Sequence, residues 1–245
     1  KEYDIVFNAL HGTFGEDGSI QSLLEGNGIL FTGSGSNSSQ TCMDKIKCKN
    51  ILRKNDYSTP DWFELNNYNK ISKSFLPCIV KPNAQGSTFG LSLVNKKSAL
   101  DKAMSNSLKF DKDILIEEYI SGREITVGIL DGEALPVIEI LHNHEIYDYK
   151  CKYTPGMTKY VCPANLGEEL KNRIMHDSLK IFELLNCKGY GRVDYIVDDN
   201  DNYYFLEINT LPGMTNTSLL PIAAKNADIS FNKLVQTIIE LGLSD

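Results

Sequence analysis

The segment Gly191-Arg192-Val193-Asp194-Tyr195, followed after a short gap by Tyr204-Phe205-Leu206-Glu207-Ile208-Asn209, constrains the fold more than any other part of the chain. Both halves alternate polar with apolar or aromatic residues at period two, as β-strands with one face toward a core do. Between them Asp198-Asp199-Asn200-Asp201-Asn202 is built from turn-forming residues, so the strands read as a hairpin. Side chains two apart share a face, which sets Arg192 with Asp194 and Glu207 with Asn209, and the hairpin gathers all of them on one face. Two carboxylates and an amide oxygen beside a guanidinium make a hard, oxygen-rich site that suits magnesium bridging nucleotide phosphates. For either strand alone, a solvated, salt-bridged sheet face is the favoured reading. The apolar residues around these groups and the turn-rich stretch 210–215 that follows favour the site.

The 245 residues are 42% hydrophobic, enough for a large core and for two or three small domains. A formal net charge of -7 argues against a general nucleic-acid binder, so anionic ligands have to be met by local clusters. No apolar run approaches a membrane span, and Lys1-Glu2-Tyr3-Asp4 is unlike a signal peptide, so the expectation is a cytoplasmic protein with neither membrane nor nucleic acid as partner. The cysteines Cys42, Cys48, Cys78, Cys151, Cys162 and Cys187 form no C-x-x-C pair and read as reduced core thiols rather than disulfides or a zinc site. His142 and His144 flank Asn143 beyond a strand. Without an acidic or thiol partner at ligand spacing, they read as loop residues.

Along the chain, strands alternate with helices, the pattern of an α/β protein with α+β subdomains. Residues 4–10 read as a strand entering the glycine-rich loop 11–18, followed by a helix over 19–26, a βα unit of the kind whose strand end and helix N-terminus form ligand sites. A short strand is expected over 29–32, a break at Gly33-Ser34-Gly35-Ser36, and a helix over 42–55. Strands follow at 78–81, 91–95, 114–118 and 123–130, with Ser98 expected to cap a helix. Asp131-Gly132 is a two-residue hairpin turn leading to a strand over 134–140. Leu170, Ile174, Ile181 and Leu185 mark one face of a helix ending near Gly189. A last helix capped by Ser230 buries Phe231, Leu234, Val235 and Ile238.

Lys81-Pro82-Asn83-Ala84-Gln85-Gly86-Ser87-Thr88-Phe89-Gly90 is a strand, a loop and another strand. That is neither a dinucleotide fingerprint nor a Walker loop, and both of those motifs are absent. Gly86 and Gly90 would let a hairpin loop close over phosphates with its amides exposed while Lys81 supplies a point charge; a merely mobile surface hairpin is the alternative. The loop 147–160 mixes tyrosines with lysines around Pro155-Gly156 and reads either as a ligand lid or as an ordinary loop resting its aromatics on the core.

Together these segments resemble the D-alanine--D-alanine ligases of the ATP-grasp superfamily over essentially the whole chain. The resemblance is carried by His11-Gly12 with Gly15-Glu16-Asp17-Gly18, Met43-Asp44-Lys45, Val80-Lys81-Pro82 with Gly86-Ser87, Glu117-Glu118-Tyr119 and Gly122-Arg123-Glu124. It continues through Tyr147-Asp148-Tyr149 with Lys152-Tyr153, Cys162-Pro163-Ala164, and residues 207–215 with Ser218-Leu219. The resemblance implies an ATP-dependent condensation of two D-alanines through a D-alanyl phosphate, for peptidoglycan precursor synthesis. It implies that Lys45 and Lys81 contact phosphates, that Ser87 sits in the glycine loop, and that Glu117, Glu118, Tyr119, Ile120 and Glu124 line adenine and ribose. Asp194, Glu207 and Asn209 would hold magnesium or manganese, as two ions, and Lys152 would reach the γ-phosphate. Arg192 and the Gly213 amide would stabilise the tetrahedral intermediate, Ser218 and Leu219 would receive the second D-alanine, Tyr153 would close over it, and His11 would lie at the substrate. A homodimer is what the family suggests.

The family begins with an additional βαβ segment, and this chain's first residues match a later strand, so a truncated N-terminal Rossmann-like unit is expected. The division expected is 1–33 for that partial domain, 34–121 for a central subdomain with the glycine loop, and 122–245 for a C-terminal subdomain with the metal and substrate site. Another carboxylate-amine ligase, a D-alanine--D-lactate ligase, or a nucleotide-binding remnant without ligase activity are the alternatives. Tyr153 is the ligase-like residue where ester-forming relatives carry phenylalanine, so amide formation should dominate with D-alanine and D-lactate in competition near neutral pH. Tyr153→Phe should shift the product ratio toward ester, by up to about tenfold for one buried hydrogen bond of about 0.5–1.5 kcal/mol. Mainly ester from the unaltered chain would refute the dipeptide reading.

Overall fold

The computed structural model describes residues 3–142, 154 and 156–244. Lys152, Tyr153, Cys151, His144 and most of the aromatic-basic loop lie outside them. Helix α1, Ser19–Gly26, is followed by α2, Ser36–Met43, and α3, Lys45–Lys54. Where one helix over 42–55 is expected, Asp44 interrupts it: its backbone is extended and its carboxylate accepts the Lys47 amide, capping α3. The glycine-serine stretch expected to be irregular therefore runs into a helix. Residues 4–10 and 29–32 do not form the expected strands. They meet at a single parallel bridge, Val6 to Phe31. Asn8 diverts the ladder, its side chain accepting the Leu10 amide and its own amide donating to the Thr32 hydroxyl.

A small antiparallel sheet has the order β1 (Trp62–Glu64), β4 (Ile114–Glu118), β2 (Cys78–Pro82), β3 (Ser92–Val94). Alternation explains its faces. Cys78, Val80, Ile114 and Ile116 turn to helix α4, Leu100–Ser107, whereas Ile79, Lys81 and Glu117 turn the other way. Ser98 does not cap α4; a 3-10 turn, Lys97–Ala99, leads into it and no side chain bonds at the cap.

The larger sheet runs β10 (Tyr203–Asn209), β9 (Tyr190–Val197), β5 (Arg123–Leu130), β7 (Ile138–His142), β8 (Thr158–Val161), with β6 (Glu133–Ala134) paired to β5. The strand expected over 134–140 is broken between β6 and β7 around Pro136, which has no amide to give a ladder. Ile125, Val127 and Ile129 of β5 and Val193, Tyr195 and Val197 of β9 share one face with Leu170, Ile174, Ile181 and Phe182 of α5, Glu168–Leu184. Each such buried side chain contributes roughly 1.5–3 kcal/mol. On the opposite face α6, Leu219–Asn226, packs close over Gly128, where a Cβ would stand 2.8 Å from Leu220. Helix α7, Phe231–Leu243, is capped by Ser230 as expected and buries Leu234 and Ile238, but Phe231, in its first turn, stays 38% exposed.

The β9–β10 hairpin holds one feature that alternation does not give. From its turn the register starts with Tyr203 opposite Val197, which carried on would set Glu207 opposite Val193, on the core face. A bulge between Phe205 and Glu207 shifts it, so Glu207 lies opposite Asp194 and Asn209 opposite Arg192. The backbone groups of Phe205 bond instead to the Ser58 carbonyl and the Thr59 hydroxyl.

Gly122 joins the small sheet to β5, and a Cβ there would stand 2.2 Å from the Val197 carbonyl oxygen. Gly122→Ala should lower the unfolding free energy by about 1–3 kcal/mol, since backbone has to shift. Gly86→Ala, whose nearest neighbour is a Glu16 carboxylate oxygen at 3.6 Å, should change it by less than about 0.5 kcal/mol. Urea unfolding of both variants checks the pair.

Candidate active site

Between the two sheets lies a cleft lined by residues of both. Its walls come from distant segments. Helix α3 brings Lys45; the small sheet brings Lys81, Glu117 and Glu118, with Tyr119 and Ile120 leading into β5, which brings Glu124; the hairpin brings Arg192, Asp194 and Glu207; α6 brings Leu219. The glycine loop covers one side with Gln85, Thr88 and Phe89.

The charged groups in the cleft are paired with one another. Arg192 grips Asp194 with two bonds of 2.9 Å, and the Thr126 hydroxyl donates to the same carboxylate at 2.5 Å. Lys45 stands 3.2 Å from Glu207 and donates to the Gln85 carbonyl at 2.8 Å, joining hairpin and glycine loop through one ammonium. Glu117 is 3% exposed and shared by two lysines, Lys49 on one oxygen and Lys81 at 2.7 Å on the other. Burial opposes its charge, but the two ammoniums outweigh burial and hold the carboxyl below its ordinary value. Lys49 is wholly buried, 5.2 Å from the Trp62 ring centre, and burial pushes its pKa down to about 8 despite Glu117.

The expected site residues Asn209, Gly213, Ser218, Ser87 and His11 are not among those lining this cleft. Asn209 stands opposite Arg192 and accepts the Leu211 amide at 2.9 Å. Gly213 and Ser218 adjoin: a Cβ on Gly213 would lie 2.9 Å from the Ser218 hydroxyl, which accepts the Thr215 amide at 3.1 Å. Ser87 and Thr88 both hold left-handed backbone, φ 53° and 58°, at the top of the glycine loop. His11 is exposed, 3.5 Å from Glu16, whose other carboxylate oxygen approaches Gly86. His142 is not partnerless as expected; it ends β7 and sits 3.4 Å from Glu124.

Lys49, Thr126 and Leu206 were missed in the sequence. Lys49 follows Lys45 by four residues, and that spacing on one helix face was its available signal. Among the described residues, no group of three His, Cys, Asp or Glu side chains is poised to hold a metal. The donors on the hairpin are two carboxylates and an amide, a set that fits a hard cation. The described cysteines are free and form no disulfide; Cys42 and Cys187 lie 3.5 Å apart, and burial pushes Cys48 up to about 12 and Cys78 to about 11.

The family model for the D-ala D-ala ligase C-terminus matches residues 47–240, and that for the N-terminus matches residues 1–34. The chain belongs to the D-alanine--D-alanine ligase family. It is 42% identical to a D-alanine--D-alanine ligase of Syntrophotalea carbinolica, over 96% of this chain and 78% of that protein. It is 43% identical to D-alanine--D-alanine ligase A of Bacillus cereus, over 99% and 82%. The crystal structure of the Bacillus anthracis ligase superposes with a TM-score of 0.90 at 42% identity, covering 100% of this chain and 81% of that one. The same ligase complexed with ATP gives 0.87, over 100% and 80%. The architecture is the ATP-grasp fold of that family.

Glu117→Gln should destabilise the protein at neutral pH by about 3–5 kcal/mol, because it leaves two buried ammoniums unneutralised. A carboxyl with a depressed folded pKa contributes stability that is present above its unfolded value, about 4.5, and lost as pH falls through the folded one. Urea midpoints of wild type and variant should therefore lie apart at pH 7 and converge as pH drops below about 4.5. Parallel curves would show that Glu117 is not the group responsible.

Proposed function

We propose that this chain joins two D-alanines into D-alanyl-D-alanine, for peptidoglycan precursor synthesis in the cytoplasm. ATP converts the first carboxylate to an acyl phosphate, the second D-alanine's amine attacks it, and ADP and phosphate leave. The observation that carries the reading is the cleft itself: Lys45, Lys81 and Arg192 meet Asp194 and Glu207 between two sheets, in a chain of this family.

A carboxylate is a poor acyl donor until phosphorylated, and phosphoryl transfer depends on positioning and on neutralising charge. The cleft holds its cations and carboxylates as internal pairs. On this reading Asp194, Glu207 and Asn209 would hold magnesium, whose charge, when bound, offsets that of the phosphate oxygens. Lys45 and Arg192, released from Glu207 and Asp194, then turn to the phosphate and acyl oxygens. Tyr119, Ile120 and Phe89 offer apolar surface for the base, and Glu124 for the ribose. Ser218 and Leu219 would receive the acceptor's carboxylate, and the Gly213 amide with Arg192 would stabilise the tetrahedral intermediate. The glycine loop, closed over the cleft, would exclude water that hydrolyses the acyl phosphate.

ADP release with ATP, magnesium and D-alanine, against L-alanine and no amino acid, tests the reading. Release should depend on D-alanine and yield the dipeptide. Glu207→Gln should lower turnover about a hundredfold or more, the scale of losing a central transition-state contact. ADP release indifferent to D-alanine would overturn the ligase reading, and near-normal turnover of the variant at saturating magnesium would overturn the metal assignment.

A further inference from the structure

Helix α3 carries Lys45, Lys49 and Arg53 at successive four-residue steps, so three cations share one face. Each meets a different part of the molecule. Lys45 reaches Glu207 on the hairpin, Lys49 reaches Glu117 on the small sheet, and Arg53 stacks 4.1 Å over Trp62 and bonds Asp61 at 2.8 Å. Arg53 is half-exposed, which makes it an ordinary surface contact. Lys49 is wholly buried, and taking an ammonium out of water is costly unless it is matched. Its match is one oxygen of Glu117, whose other oxygen holds Lys81 at 2.7 Å.

We propose that Lys49 is a positioning residue for nucleotide binding, acting through Glu117 to keep the charge of Lys81 available to a phosphate. The inference rests on the ATP reading above. Glu117 brings one negative charge and the two lysines bring two positive ones, so the cluster has a surplus of one. Both carboxylate oxygens are occupied from fixed directions, so the carboxylate cannot rotate to claim Lys81 with both. Without Lys49 the remaining Glu117–Lys81 pair is neutral and shielded from water, where opposite charges hold each other most strongly. A phosphate would have to break that pair, whereas in the intact cluster it meets a lysine whose counter-charge is shared. The depressed pKa of Lys49, about 8, agrees with an ammonium kept in place at a cost.

The test is binding of a non-hydrolysable ATP analogue with magnesium, by calorimetry, beside steady-state kinetics on the full chain. Lys49→Met should weaken analogue binding and raise the KM for ATP by about tenfold or more, with kcat and the KM for D-alanine changed less than about threefold. Lys49→Arg, which keeps the charge, should recover most of the loss. The decisive variant is Lys49→Met with Glu117→Gln, which removes one charge of each sign and restores the surplus. It should bind the analogue better than Lys49→Met alone. A Lys49 that only supports the fold predicts the opposite, since the second change then adds a second defect. If Lys49→Met does not fold, Lys49→Arg and the double variant carry the test, and failure of both to bind while folded overturns the proposal. Equal binding by wild type and Lys49→Met also overturns it. Absence of binding by wild type overturns the ATP reading, and this inference with it.

Discussion

Eight consecutive pairs between β5 and β9, from Arg123 opposite Val197 to Leu130 opposite Tyr190, set the positions of the groups in the cleft. Directly opposed residues share a face, so Asp194 has Thr126 on one side and, across the bulge, Glu207 on the other. Arg192 likewise lies between Gly128 and Asn209. The β5 neighbours are small. Thr126 leaves room beside Asp194 and supplies a hydroxyl to it, and Gly128 leaves room for α6 to press against the sheet. A slip of one residue would send Asp194 into the core beneath α5 and bring Val193 or Tyr195 to the cleft. The core prevents it, because Ile125, Val127, Val193 and Tyr195 are buried to within about a hundredth of their surface. The same packing that stabilises the sheet therefore fixes the site.

The charge arrangement follows from the same geometry. A chain with a net charge of -7 has to gather cations locally if it is to hold an anion, and it does so at α3, β2 and β9. Gathered cations repel, and the buried ones are expensive. The carboxylates among them reduce both costs: Glu117 sits between two lysines, Asp194 under an arginine and Glu207 beside a lysine. The pairs of Glu117 and Asp194 are preorganised in places largely shielded from water, where a charge-assisted bond is strong and a missing partner is costly.

Much of this was legible because short-range patterns carry it. Alternation marked β5, β9 and β10, and the α5 face of Leu170, Ile174 and Ile181 was visible at helical spacing, although the helix ends at Leu184 rather than near Gly189. The Asp-Asn turn and the Ser230 cap were written in single residues. What failed did so where a local pattern was overruled from a distance. The expected strand at 4–10 loses its ladder to the side chain of Asn8, and the single helix at 42–55 divides because Asp44 prefers the cap. At the site, the residue types were legible but not their mutual contacts. Glu117 reads as a ligand contact from its motif, whereas its burial between Lys49 and Lys81 depends on α3 lying against the small sheet. The bulge at Leu206 has no marker in its own strand, since its cause is the Ser58–Thr59 segment far away in the chain.

The N-terminus of α3 shows how such distant contacts tie the cleft into one unit. Asn83, just past β2, accepts the Ile46 amide and donates to the Asp44 carboxylate, both at 2.9 Å, so it caps a helix 37 residues earlier in sequence. Two residues on, the Gln85 carbonyl accepts from Lys45. The root of the glycine loop is thus bonded to the first turn of α3, and the ammonium that holds it there also faces Glu207. A displacement of the loop strains the helix start, and a change in the charge near Glu207 alters what Lys45 can give to the loop. Loop, helix and hairpin come from three separate stretches of sequence, yet one ammonium and one carboxamide join them.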